Sequence, residues 1–584
     1  MHWDLTKMYS GFDDAKLAAD FAQAQALNQE LAALLQEKPA DVGALLVQAV
    51  RTAQKRSEKM ALVGEFIFLN LATNAKNEQA LAWMDKLMRA QVEMQQTSSA
   101  FTRYVSKVEG LDALIAREPL LKEHEYMLKT MVKDAAHVMD PAIEGPVLKM
   151  QMTGGEAWSQ LSDQITATHM VEMEIDGEKQ SLPLSTVRGM ATSPDASVRR
   201  RAYEAELASY PRIELAMAAC LNGIKGEALT LCELQHYDTV LDTALDAAKI
   251  DRQTLDAMLT AMRESLPAFR RYFRAKARHL GHEGGLPFYD LFAPIGAAGK
   301  TYTLEEARQL LVQVFGQFSE KMSRFIDRAF EEHWIDAFPY EGKQGGAFCA
   351  GVHPLGISYV LANFEGSLDS VSTLAHELGH AYHGDCVKHL SILNADYPMT
   401  LAETASIFNE TMLVAKLQEG ANPQERLMLL DQQIGNAAQV VVDILSRFLF
   451  ESEVIERRKD HTMLPDELKE IMLDAQKQTY GDGLDENALH PYMWACKTHY
   501  YSASLHFYNF PYAFGLLFGL GVYERYLEKG EAFLPEYDAL LAATGLGDVK
   551  DVAARVGIDV TDVNFWRKSL SVVEKMIDEM EKLA

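Results

Sequence analysis

Apolar residues recur at helical spacing over most of this chain. From residue 13 to about 140, runs such as DDAKLAADFAQAQALNQELAALLQ are rich in Ala, Leu, Gln and Glu, which lose little side-chain freedom in a helix. Residues 60–96 carry longer apolar stretches and predict a more buried helical pair. No fixed-period repeat is evident, so a solenoid is not indicated. Between about 150 and 195 the texture changes. QMTGG (151–155) predicts a turn, and HMVEMEIDGEKQSLPL (169–184) predicts short strands about a hairpin at Asp176-Gly177. SPDASVRR (193–200) then reads as a cap and a new helix. These signals divide a helical N-terminal domain, residues 1–190 with its β-like segment near 165–185, from a second domain over 191–584.

Helical spacing resumes from 195 to about 335, broken by the loop GHEGGLPFYDLFAPIGAAGKTYT (281–303). Residues 338–370 are glycine-rich, and Ser358–Phe364 predicts a strand between turns. Helix dominates after Asp369. The expectation is a mostly α protein with a small sheet just before residue 370.

Composition narrows the function classes. The 584 residues are 48% hydrophobic and 24% charged, and 22 Tyr, 25 Phe and 6 Trp can fill a sizeable core. Disorder over most of the length is excluded. A net charge of −27 argues against nucleic acid and against anionic membrane surfaces as partners. The apolar stretch Ala513–Tyr523 is too short to cross a bilayer. Five scattered cysteines make no C-x-x-C pair, and the N-terminus does not read as a signal peptide. A cytoplasmic protein is expected. Oligomeric state is not legible.

The chemistry concentrates in VSTLAHELGHAYHGD (371–385), which contains His376-Glu377-Leu378-Gly379-His380. Residues four apart share a helix face, so His376 and His380 can address one ion. Glu377, about a hundred degrees round, can reach a water bound to it. Val371, Leu374, Ala375, Leu378 and Tyr382 form an opposing apolar stripe, and Asp369 or Ser370 is the expected N-cap. A zinc ion needs a third protein ligand. The metzincin pattern does not supply it, because His383 and Cys386 stand where that pattern has Gly and His. PMTLAETASIFNETMLVAK (398–416) predicts a second helix carrying Glu403 and Glu410, seven apart on one face. Either could complete the site. Glu403 is favoured as ligand, with Thr400-Leu-Ala-Glu403 as a capping box the bland alternative. Glu410 would then accept from a ligand imidazole.

These blocks resemble the oligoendopeptidase F branch of the thimet oligopeptidase family of zinc peptidases. GKQGGAFCAG (342–351) and YVLANFEGSLDSVSTLAHELGHAYH (359–383) are similar to that family's glycine turn, edge strand and zinc helix. LAETASIFNE (401–410) is similar to its second zinc helix, and KTHYYSASLHFYNFPYAFG (497–515) to its C-terminal His/Tyr segment. The resemblance implies a large helical fold whose two lobes flank a deep channel. It implies one zinc ion held by His376, His380 and Glu403, with Glu377 as general base. Glu410 and His383 would lie behind the ligands. His499, Tyr508 and Tyr512 would stabilise the oxyanion, with Tyr501 and His506 as competitors in the same segment. Pro511 suggests a kink between the two phenols. Gly345 and Gly346 would form a turn beside a strand whose residues Tyr359, Val360, Leu361 and Ala362 add an extended peptide at their edge. The implied activity is endopeptidase cleavage of short unstructured oligopeptides. Two other classes stay open: a zinc hydrolase of non-peptide amides or esters, and an inactive helical binding protein.

Overall fold

The structure, a computed structural model, describes residues 1–583 apart from Lys38, Asp176 and 297–299. Helices dominate, and only two small sheets interrupt them. Contacts divide the chain into two compact units, each gathered from separate segments. The first comprises Met1–Val138, Gly299–Lys416 and Arg525–Ile558, and the second Met139–Ala298, Leu417–Glu524 and Asp559–Ala584. Residue 190 therefore falls inside the second unit. Local texture marks where the pattern changes along the chain, whereas burial joins segments remote in sequence.

In the first unit, Asp14, Asp41 and Asn77 cap helices Ala15–Leu34, Val42–Thr73 and Glu78–Val105, each accepting a hydrogen bond from a first-turn amide. Their core includes Leu31, Leu46, Val50, Phe101 and Leu128. Each such side chain contributes roughly 1.5–3 kcal/mol on burial. The expected buried pair is buried unevenly. Val63, Phe66, Ile67 and Leu69 are enclosed, but the helix after the Asn74–Asn77 break leaves Leu81, Met88 and Val92 exposed.

Three strands precede the H-E-x-x-H helix: β3 (Ile335–Asp336), β4 (Phe348–Val352) and β5 (Ile357–Leu361). Their order is β3-β5-β4, with β5 parallel to β3 and antiparallel to β4. This corrects the edge-strand expectation for Tyr359–Ala362. On one side Val360 N donates to Trp334 O and Ala362 N to Asp336 O, both at 2.9 Å; on the other β4 fills the ladder. The side chains of Tyr359, Val360, Leu361 and Ala362 are buried as well. The outer edge of this sheet belongs to β4, which pairs with no further strand among the described residues. Gly345-Gly346 do form a bend, with φ +81° at Gly346, and Asn363 Nδ2 pins it by donating to Gln344 O and Gly346 O.

β4 and β5 pack on helix Leu368–Val387, which carries the motif. Its N-cap is Ser367, whose Oγ accepts from Ser370 N at 3.1 Å, rather than Asp369 or Ser370. Asp369 sits in the first turn, where a carboxylate favours the positive end of the helix.

In the second unit, β1 (Met170–Ile175) and β2 (Glu178–Pro183) form the expected antiparallel hairpin. Asp176 of its turn lies outside the described residues, and Gly177 takes φ +82°. Asp195 caps helix Ala196–Ser209. Val171, Leu221, Phe450, Trp494 and Tyr500 share this unit's core. Pro511 is the second residue of helix Phe510–Lys529, where a missing N–H costs nothing, so it starts a helix instead of kinking one. Tyr508 precedes that helix and Tyr512 lies in its first turn. No described helix is long and apolar enough to cross a membrane.

Candidate metal centre

The motif helix forms because its apolar stripe has somewhere to go. Val371, Leu374, Ala375, Leu378 and Tyr382 are all buried. The opposite face leaves the His376 and His380 side chains 24% and 20% exposed. Their rings meet edge to face, 4.9 Å between centroids. Glu377 is buried between these extremes.

The second element is two helices rather than one. Met399–Ala402 and Thr404–Gln418 are separated by Glu403 itself. Pro398 occupies the N-cap of the first, with no side-chain cap, so Thr400 and Glu403 do not form a capping box. The break turns the Glu403 carboxylate onto the histidines. Its Oε2 lies 3.3 Å from His376 Nε2 and 3.5 Å from His380 Nε2, and accepts from Ser406 Oγ at 2.8 Å. One ligand atom from each of His376, His380 and Glu403 lies within 4.8 Å of the others. Two imidazoles and one carboxylate so converged are a donor set suited to a tetrahedral divalent ion with one position left for water.

Glu410 stands on the far side of the first ring, its Oε2 3.3 Å from His376 Nδ1. A carboxylate there fixes which ring nitrogen faces the centre. His383, on the same helix, has partners of its own. It is fully buried, its Nε2 shares a 2.8 Å hydrogen bond with Thr544 Oγ1, and its ring stacks on Tyr397 at 4.0 Å. One turn beyond 380 on the helix, it faces the packing side.

The electrostatics separate the two histidines. Burial pushes His376 down, but Glu403 and Glu410 outweigh it and raise it to about 10. Burial holds His380 down to about 4, and His376 adds to this. Burial alone would raise Glu403; His376 and His380 instead hold it to about 2. Burial raises Glu377 to about 7, where a carboxylate exchanges a proton near neutrality.

Gly379 is a packing position beside the site that spacing did not disclose. A Cβ there would lie 2.7 Å from both Ala405 O and Ser406 Cα, so the two helices touch backbone to backbone beside Glu403. Asn409 Nδ2 donates to Ala375 O across the same seam. The only sequence signal was a glycine inside a strong helical pattern. Gly379→Ala is expected to cost about 1–3 kcal/mol. It should also weaken zinc binding, measured by thermal unfolding with and without metal; unchanged affinity would separate the seam from the site.

The His/Tyr segment belongs to the second unit. His499 stacks on Tyr508 with centroids 5.1 Å apart, and the Tyr508 and Tyr512 hydroxyls are 2.7 Å apart. Burial, with Arg447 and Lys497, holds His499 down to about 4, so it is neutral at pH 7. The competitors have other surroundings. Tyr501 is buried among core residues, and His506 Nδ1 lies 3.3 Å from the buried Lys225 Nζ.

Known proteins resemble this chain in sequence and in fold. The description "Peptidase family M3" matches residues 189–572, and "Oligopeptidase F" matches residues 108–169. The chain is 25% identical over 471 residues to group B oligopeptidase PepB of Streptococcus agalactiae, covering 80% of this chain and 77% of that one. It is 26% identical over 411 residues to the chromosomal oligoendopeptidase F of Lactococcus lactis subsp. cremoris, covering 70% and 67%. A solved Chlamydophila abortus structure, 21% identical, shares the fold with a TM-score of 0.84 over 100% of this chain and 98% of that one. With a match over well more than half its length and a His-His-Glu group at the centre, the chain belongs to peptidase family M3, as a metalloendopeptidase of the oligoendopeptidase F branch.

Proposed function

We propose that the protein is a zinc endopeptidase of short, unstructured oligopeptides. The observation that carries this reading is the convergence of His376, His380 and Glu403 within 4.8 Å, with Glu377 next in the chain to His376. The names of the relatives support peptides as the substrate class.

A zinc ion held by His376, His380 and Glu403 would acidify a water and polarise the scissile carbonyl. Glu410 keeps the His376 Nε2 lone pair turned inward. Glu377 takes the proton of the attacking water and later delivers it to the leaving amine nitrogen. Burial raises its carboxyl above the usual carboxylate range, which brings it closer to what both transfers need. As the carbonyl oxygen becomes negative, a phenol of Tyr508 or Tyr512, or the neutral His499 imidazole, donates to it; one such donor is worth roughly 3–4 kcal/mol. The role of these three groups rests on the family resemblance and on their mutual contacts.

The extended substrate pairs with the outer edge of β4, Phe348–Val352, because β5 has no free edge. The Gly345-Gly346 bend leads into that strand, and nothing lies within 4 Å of a Cβ placed on either glycine. A peptide backbone can approach closely there.

The test is cleavage of a pool of short peptides and one unfolded protein, followed by mass spectrometry, with a chelated sample and the same sample after added zinc. Cutting of the short peptides alone, lost on chelation and restored by zinc, is the expected result. Cutting that survives chelation would overturn the zinc reading. Efficient cutting of the unfolded protein would overturn the size limit.

A further inference from the structure

Helix Ile444–Arg458 and the residue before it present Asp443, Arg447 and Glu451 at intervals of four, hence on one face. All three side chains are largely buried. Each leads to the segment that carries His499, Tyr508 and Tyr512. Asp443 faces Lys497 at 4.0 Å and also accepts from Tyr480 OH. Arg447 Nη1 donates to Asn509 Oδ1 at 2.9 Å, while Nη2 is paired with Asp443. Glu451 holds the fully buried Lys225 at 2.6 Å, and Lys225 Nζ lies 3.3 Å from His506 Nδ1. The segment is thus held at 497, 506 and 509, on either side of the stacked His499–Tyr508 pair.

This arrangement is costly. Buried ion pairs are commonly no more stabilising than apolar replacements of similar size. Arg447 Nε is buried with no hydrogen-bond partner among the described residues. Phe507, between His506 and Tyr508, adopts φ +52°, a left-handed conformation unfavourable for a bulky side chain. Such strain persists only where the surroundings over-determine it, and it clusters at functional sites. Here the determinants are the anchors at 506 and 509 and the packing of the Phe507 ring on Phe448, 5.2 Å between centroids. The conformation they enforce sets the Tyr508 hydroxyl 2.7 Å from that of Tyr512.

We propose that Arg447 is a positioning residue. Its fork ties Asn509 to Asp443 and so sets the Tyr508–Tyr512 hydroxyl pair in the orientation used in turnover. The inference rests on the reading of that pair as oxyanion donors. Arg447 reaches this pair through Asn509, which lies between Tyr508 and Tyr512 in the chain. Its effect is therefore expected in kcat and to be expressed through the tyrosines.

The experiment is a double-mutant cycle on a short fluorogenic peptide, with kcat, KM and zinc content measured for each variant. Arg447→Met is expected to lower kcat by about 100-fold, the scale of an ångström misplacement. KM should stay within about threefold, since ground-state binding is not removed, and zinc content should be unchanged. Arg447→Lys should recover only part of the loss, because one ammonium cannot reproduce a planar fork to two acceptors. Combined with Tyr512→Phe, Arg447→Met should cost no more than the worse single variant. If Arg447→Met does not fold, Asn509→Leu, which removes the far end of the same tie without stranding a carboxylate, takes its place in the cycle. Impaired tyrosine variants beside normal kcat in both Arg447→Met and Asn509→Leu would overturn this inference alone. So would additive losses in the cycle. Wild-type rates in both Tyr508→Phe and Tyr512→Phe would overturn the oxyanion reading, and this inference with it.

Discussion

Glu377→Gln is expected to keep zinc and lose turnover by roughly 10³-fold or more, the upper range of what a positioned acid–base group supplies. Glutamine fills nearly the same volume and can still hydrogen-bond, so the buried position next to His376 should tolerate it. What it cannot do is take a proton. The carboxyl of Glu377 is raised to about 7 by burial, with the Glu403 carboxylate adding to the rise and His376 opposing it. The sign follows. The neutral acid dominates below that value and the working base above it, so wild-type kcat/KM should fall as pH drops through the acidic limb. A cation at the neighbouring ligands favours the carboxylate and moves the limb below 7. The variant should lack this limb. Steady-state kinetics at several pH values, with zinc quantified in the same samples, checks both points. Substantial cleavage by zinc-loaded Glu377→Gln would remove Glu377 from the mechanism.

The second large effect concerns the metal. Glu403→Ala should lower zinc affinity by more than the roughly 100-fold upper limit seen for outer partners of metal ligands. It removes a donor, and it leaves His376 and His380 facing each other without the carboxylate that both now approach. In the wild type, zinc binding should be proton-linked. His376 is held protonated up to about 10 by Glu403 and Glu410, which outweigh its burial, while His380 near 4 and Glu403 near 2 are already in their ligating forms at pH 7. A ligand imidazole must be neutral. Loading therefore expels the His376 proton, and apparent affinity should rise by about tenfold per pH unit up to that value. Calorimetry at pH 7.5 in two buffers of different ionisation enthalpy reads the proton directly. A release near zero would mean that His376 is already neutral in the metal-free protein, and would overturn the proton linkage.

Much of this is legible in the amino-acid sequence. The period of 3.6 marked the helices, because an amphipathic helix must carry its apolar residues at that spacing to bury them. H-E-x-x-H is likewise readable, since two residues four apart on a helix point the same way whatever surrounds it. Glu403 was accessible by spacing and resemblance, and Glu410 follows from it by two turns.

Other features depend on contacts that no local pattern encodes. The strand at Ile357–Leu361 was expected, but its neighbours decide whether it is an edge, and β3 lies more than twenty residues upstream. Local capping preference points to Asp369 or Ser370, whereas the helix starts earlier, behind Ser367, once β5 and the turn after it are in place. His383 looked like a partner of the site because it is one turn from His380; the Tyr397 ring and Thr544 claim it instead. Pro511 reads as a kink in isolation and as a helix start once Phe510 is known to begin one. Gly379 needs a second helix at van der Waals distance before it means anything. The helical class, the candidate metal-ligand residue types and their facing on one helix are readable along the chain, because these follow from short-range geometry. The tertiary structure alone decided the two interleaved units, the free edge at β4, the helix break that turns Glu403 onto the histidines and the buried tie from Asp443 through Arg447 to Asn509. Each of these depends on burial and hydrogen bonding between residues that the chain itself keeps apart.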